Sequence, residues 1–102
     1  MQSMNNIRLF IAGDFCSKPS TLNITVSEDL KNLIQSCDFK VVNFEVPLKP
    51  GNVQLPPQKR ERFFQSDDAP DFLRGLGFNL FSLANNHAFD WGDDGFRKTK
   101  AS

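Results

Sequence analysis

Three short segments rich in β-branched and aromatic residues punctuate the chain: IRLFIA at 7–12, KVVNFEV at 40–46 and FNLFSLA at 78–84. Apolar runs of this length, each followed by polar or turn chemistry, read as strands. The intervals between them carry the helical period instead. In SEDLKNLIQSC, Ser27 is a good N-cap, Glu28 and Asp29 suit the positive end of a first turn, and Leu30, Leu33 and Ile34 share one face. In APDFLRGLGF, Pro70 stands near a helix start, Phe72, Leu73 and Leu76 line one side, and Gly77 ends the helix. The terminal DDGFRKTKAS opens a third helix. The order β-α-β-loop-α-β-α predicts an α/β fold: a parallel three-stranded β-α-β-α-β unit with right-handed crossovers.

The 102 residues fit one domain, 1–102, since domains most often run about 100 to 150 residues. Its long connection, 47–68, contains PLKPGNVQLPP, whose prolines forbid a regular element. Covering a parallel sheet takes helices on both faces, and two and a half helices are few for that. The chain therefore reads as the first half of a larger unit, with an exposed sheet edge through which it could oligomerise. Twelve basic residues balance twelve acidic ones, so no global field points to nucleic acid, and any polyanion binding must be local. No signal-peptide pattern opens the chain, and no run approaches the roughly 18 apolar residues of a spanning helix, so a cytoplasmic location is expected. Cys16 and Cys37 are too few for a disulfide framework and are expected to be unpaired.

In open α/β sheets, ligands bind outside the carboxyl ends of the strands. The first strand runs into Gly13 and Asp14, the second carries Asn43 and Glu45, and the third ends at Asn85, Asn86 and His87. If the strands are adjacent, these groups share one rim. Carboxylate and amide oxygens suit Mn²⁺ or Mg²⁺, and an imidazole widens the choice to Zn²⁺ or Fe. In that reading Asp14 and Glu45 ligate metal, Asn86 binds metal or phosphate through its side-chain oxygen, Asn85 contacts substrate, and His87 protonates a leaving alkoxide as general acid. Each residue also has a plain alternative. Asp14 can cap a turn, Glu45 can be the polar face of a strand, and Asn85 and Asn86 are common turn residues. Asp90 either N-caps the last helix or orients the imidazole of His87. Lys59, Arg60 and Arg62 either guide an anionic substrate or form a solvated charge run.

GDF at 13–15, VVNFEVPL at 41–48 and GFNLFSLANNHAFDWGDDGF at 77–96 resemble the successive motifs of the CapA family. These are bacterial capsule or poly-γ-glutamate synthesis proteins, similar in fold to calcineurin-like metallophosphoesterases. The third block is the most specific. The resemblance implies that Asp14, Glu45, Asn86 and His87 hold metal-site positions with Asp90 in support. It also implies a four-layer α/β/β/α architecture, of which this chain is the N-terminal half, the other half supplying further histidines. The implied function is a metal-dependent phosphoesterase-type hydrolase acting on an anionic phosphoester or polyglutamate-related substrate, with Arg62 and Asn85 as substrate contacts. The alternative is a non-catalytic, truncated binding module of the same fold. Two departures stand out: Cys16 lies where many calcineurin-like enzymes place a histidine, and the opening residues as written lead to the expectation of no N-terminal membrane anchor of the kind many CapA-like proteins carry.

Overall fold

A computed structural model of the chain describes residues 6–51 and 64–102. Strands β1 (Leu9–Phe15), β2 (Phe39–Phe44) and β3 (Leu80–Ser82) form one parallel sheet in the order β1-β2-β3. Helix α1 (Glu28–Gln35) joins the first pair, α2 (Ala69–Leu76) precedes β3, and α3 (Gly92–Ala101) follows it. The alternation of periods in the sequence thus becomes the expected α/β unit.

The helix ends form where their chemistry predicts. Ser27 Oγ accepts the Leu30 N–H at 3.2 Å, satisfying one of the amides that the first turn of α1 leaves unpaired. Pro70 sits in the first turn of α2, where its missing N–H costs nothing. Gly77 ends α2 at φ 111°, a left-handed conformation that a side chain resists.

One face of the sheet is covered. Ile34 of α1 and Leu73 of α2 pack on Val42 and Phe44 of β2, with Phe10, Ala12 and Phe15 of β1 and Phe81 of β3 around them. Burying each of the larger aliphatic side chains stabilises the fold by about 1.5–3 kcal/mol. The opposite face is open, and its first rows are apolar. Leu9 pairs with Phe39, Ile11 with Val41, and Val41 in turn with Leu80; Ile11 is 73% exposed. The next row, Asp14, Asn43 and Ser82, is polar. This apolar-to-polar change on a single face places the chemistry at the carboxyl ends of the strands.

The strand limits differ from the sequence reading in an informative way. β1 does not stop at Ala12 but continues through Gly13 and Asp14 to Phe15, because its register against β2 shifts between Ile11 and Asp14. Regular alternation after Phe10 and Ala12 would turn Asp14 towards the helices and Phe15 towards the open face. The extra residue at the bulge reverses that parity. Phe15 therefore joins the core, stacking on Phe72 at 6.0 Å, and Asp14 stays on the open face opposite Asn43. β2 ends at Phe44 and β3 is only three residues long, both shorter than their apolar runs.

The 47–68 connection is anchored at both ends, and its central residues 52–63, with Lys59, Arg60 and Arg62, lie outside the described residues. Leu48 and Gln65 form an isolated parallel bridge, and Gln65 N–H donates to Pro47 O at 3.0 Å. Gln65 is 1% exposed. Its side-chain nitrogen donates to Phe15 O at 2.5 Å, and its side-chain oxygen accepts the Ser17 N–H at 2.9 Å, clasping the chain just beyond β1. Asp68 ties the same region to α2: it accepts from Ser20 Oγ (2.6 Å), Ser66 Oγ (2.5 Å) and the Thr21 N–H (3.1 Å). Those bonds, Ser20 first, hold its carboxyl far below the usual carboxylate range.

α3 docks through two small residues. A side chain at Gly95 would place its Cβ 2.6 Å from Trp91 Cβ, so only glycine allows this approach. Buried Thr99 accepts the Leu48 N–H at 2.8 Å and donates to Gly95 O at 2.8 Å. Gly92, with φ 71°, turns the chain into the helix. The two glycines of the DWGDDG stretch are thus explained by backbone geometry. Cys16 and Cys37 are free, as expected. Among the described residues, no helix is long and apolar enough to cross a membrane.

Candidate functional site

Because the three strands are adjacent and parallel, their polar carboxyl ends meet. Asn43 stands at the centre. Its side-chain nitrogen donates to Asp14 Oδ1 at 2.7 Å and to Glu45 Oε2 at 2.9 Å, so two carboxylates from neighbouring strands converge on one donor. Its side-chain oxygen accepts from Asn85 Nδ2 at 3.1 Å. Asn43 and Glu45 share a face because they are two residues apart in an extended chain.

Asn85 serves as a brace between the end of β2 and the turn that follows β3. Its side-chain nitrogen also reaches Phe44 O at 3.0 Å, while its oxygen accepts the His87 N–H at 3.0 Å. The latter bond is the local turn closure for which asparagine is favoured. It sets the direction of His87, whose Nδ1 lies 2.7 Å from Asp90 Oδ2 and whose Nε2 lies 3.8 Å from Glu45 Oε1. With the Nδ1 proton donated to Asp90, Nε2 is directed to the rim. This carboxylate–imidazole arrangement fixes both the tautomer and the ring orientation.

Of the two sequence readings of Asp90, the structure realises the orienting one. α3 begins at Gly92 with no side-chain cap, and the Asp90 side chain, 12% exposed, engages the histidine. Asp14, Glu45, His87 and Asp90 are thus brought together. Asn86 is exposed and lies outside this chain of hydrogen bonds, lining an open, mostly apolar groove with Leu83, Ala88, Phe89 and Phe96. Arg62 lies outside the described residues. Asn43 is the contributor that sequence reasoning placed near the rim without a role. Its signal was the i, i+2 spacing to Glu45.

Cys16 lies close enough to the rim for Glu45 to act on it. Burial, and then the charge of Glu45, push its thiol pKa up, which disfavours the thiolate of the uncoordinated side chain.

The donor chemistry suits a divalent cation. Two carboxylates are hard ligands, and an imidazole held by a carboxylate matches the usual support of a metal-bound histidine. Among the described residues, no group of three or more His, Cys, Asp and Glu side chains is drawn together closely enough to hold an ion. Asp14 and Glu45 therefore offer two converging carboxylates of a partial ligand set, whose common point is filled by the Asn43 amide.

A family model described as bacterial capsule synthesis protein PGA_cap matches residues 10–102. Two uncharacterized proteins of Sinorhizobium fredii (strain NBRC 101917 / NGR234), y4sH and y4uA, are each 53% identical to the chain over 30 residues. That stretch is 29% of this chain and only 6% of either relative.

Proposed function

The chain belongs to the family of bacterial capsule synthesis proteins, and from that premise we propose that its polar rim is part of a metal-dependent phosphoester-cleaving site. The observation that carries the reading is the continuous line Asp14–Asn43–Glu45–His87–Asp90 across the carboxyl ends of three parallel strands. Asp14 and Glu45 would hold a hard divalent cation, Mn²⁺ or Mg²⁺ before Zn²⁺ or Fe, once the Asn43 amide between them gives way, and Asn86 would add a neutral donor on turning from the groove it lines. Bound there, the ion would supply electrostatic stabilisation of a phosphoryl oxygen and an activated water.

The chain's own residues supply the remaining roles. Asp90 holds the Nδ1 proton of His87 and so keeps Nε2 facing the rim. In its doubly protonated form the ring also carries a proton on Nε2, which passes to the leaving oxygen of an anionic phosphoester and leaves the neutral ring with its Nδ1 proton on Asp90. Asn85 fixes the turn that carries the imidazole, and the register shift between Ile11 and Asp14 keeps Asp14 on the open face. A polyglutamate-related substrate is the second candidate, consistent with a role in capsule production.

Calorimetric titration with Mn²⁺ tests the reading. Binding should weaken about tenfold or more in Asp14→Ala and Glu45→Ala, each of which removes a charged ligand. Hydrolysis of a phosphodiester with an alkoxide leaving group should fall about a hundredfold or more in His87→Asn, the usual scale for loss of a general acid, while bis(p-nitrophenyl) phosphate, whose phenolate leaves without a proton, should be far less affected. Mn²⁺ affinities equal to wild type in both carboxylate variants would defeat the proposal.

One observation favours a second reading, a non-catalytic binding module of the same fold. Asn43 already satisfies both carboxylates without a cation. A melting temperature unchanged by EDTA, together with no Mn²⁺ binding, would support the module. A melting temperature lowered by chelation would support the metal site.

A further inference from the structure

A second polar cleft, open and about 460 Å³ in volume, is lined by Lys18, Lys49, Phe64, Ser66, Asp67 and Lys98. Its lysines come from three parts of the chain. Lys18 lies four residues beyond Asp14, Lys49 lies four beyond Glu45, and Lys98 projects from α3. The first two therefore follow the carboxyl ends of β1 and β2, at the same end of the sheet as the rim.

An aromatic pair organises them. Phe64 and Trp91 meet edge to face at 5.7 Å. Lys18 Nζ stands 5.0 Å from the centre of the Phe64 ring, and Lys49 Nζ stands 5.3 Å from Phe64 and 5.4 Å from Trp91. The negative ring faces attract the ammonium groups. Lys98 is set beside Lys49 because its Nζ donates to Lys49 O at 2.9 Å; it also pairs with Asp67 at 3.0 Å. Among the described residues the charged lining is three lysines and one aspartate, in a chain whose formal net charge is zero. Like charges drawn together repel, and an anion placed between them relieves that repulsion.

We infer that this cleft is an anion subsite that receives a phosphate or carboxylate group through Lys18, Lys49 and Lys98. Its partner chemistry is an oligoanion. The acidic rim repels a bare anion, while the cleft attracts one, so a molecule bearing several anionic groups is held by the cleft while another group approaches the rim. The approach to the rim rests on the proposed function; anion binding by the cleft does not.

The probes are inorganic tripolyphosphate and tricarballylate, titrated into the chain calorimetrically in EDTA at low ionic strength. Binding should weaken on addition of NaCl, because displaced counterions accompany each ammonium–anion contact. It should fall about tenfold or more in Lys49→Gln and in Lys18→Gln, as expected for the loss of a charge-assisted contact. Acetylation of the wild type gives a readout that does not depend on variants folding: either probe should slow modification of Lys18, Lys49 and Lys98 and leave Lys31 unaffected. Binding of tripolyphosphate alone supports a phosphate subsite, and binding of tricarballylate alone a carboxylate subsite. Failure of both probes to bind, or binding that leaves these three lysines unprotected, overturns the inference. Asp14→Ala separates the two proposals, since it should weaken Mn²⁺ binding and leave probe binding in EDTA intact.

Discussion

Replacing Gln65 with leucine should destabilise the fold by about 2 kcal/mol, and the structure says why the cost is neither larger nor smaller. Gln65 is 1% exposed, and its amide makes two hydrogen bonds, to Phe15 O and from the Ser17 N–H. The two losses are unequal. Phe15 O keeps a second partner, the Glu45 N–H at 3.1 Å, so losing the Gln65 donor removes on the order of 0.5–1.5 kcal/mol. The Ser17 N–H loses its acceptor within a part-buried clasp, a penalty of about 1–3 kcal/mol. Leucine is close in size and apolar, so it leaves little cavity and offsets about 1 kcal/mol by removing a buried amide. Urea unfolding followed by circular dichroism is the assay. With a slope of about 1–2 kcal/mol per molar for a small domain, the midpoint should fall by roughly 1–2 M. Gln65→Glu adds a pH test. Ionised, the carboxylate is buried and lacks a donor; protonated, it reproduces both the acceptor and the donor of the amide. Burial raises the pKa of the new group, so the deficit relative to wild type should shrink as pH falls through that raised value. A midpoint shift below about 0.3 M in Gln65→Leu, or a Gln65→Glu deficit that grows on acidification, would refute the clasp as a source of stability.

Gly95→Ala should destabilise by about 1–2 kcal/mol, because the clash with Trp91 Cβ outweighs the roughly 1 kcal/mol of helix propensity gained; the fluorescence of Trp91 and the urea midpoint report it, and unchanged stability would contradict the close packing. Asp68 has a depressed folded pKa, so its contribution is complete above about pH 5 and is lost as pH falls below the ordinary carboxylate value of about 4. The difference in urea midpoint between wild type and Asp68→Asn should therefore narrow between about pH 5 and pH 2; a widening gap would reverse the sign of the argument. Cys16, with its pKa raised by burial and by Glu45, should react with iodoacetamide more slowly than a free thiol at pH 8. Glu45→Gln should accelerate that reaction, and an unaltered rate would separate the thiol from the rim.

The elements themselves were legible because their causes are local. Ser27, Pro70 and Gly77 mark helix ends by hydrogen bonding and backbone freedom within a few residues, and the switch between periods of two and 3.6 distinguishes strand from helix. The carboxyl ends of the strands could likewise be named as the meeting place of Asp14, Glu45 and His87, since parallel strands with crossover helices bring those ends to one side. The motif around Asn85 and His87 was equally visible. Its internal division of labour was not: Asn85 and Asp90 hold the histidine, Asn86 faces an open groove, and Gly92 and Gly95 serve the backbone.

What the sequence alone determined is the α/β order and the end of the sheet where the chemistry gathers. Only the tertiary structure decided on which face Asp14 would lie. Strict alternation from Phe10 assigns it to the core, and the register shift beside Gly13 moves it to the open face, a choice made by pairing with β2 rather than by β1. The same holds for Asn43, which becomes the common donor of two carboxylates only when its neighbouring strand is in place, and for Gln65, whose partners lie 48 and 50 residues away. Lys18, Lys49 and Lys98 are scattered charges in a neutral chain until the fold gathers them around Phe64. Local chemistry shapes each element from within, but which side chains face one another depends on long-range register and packing, which no short window of sequence contains.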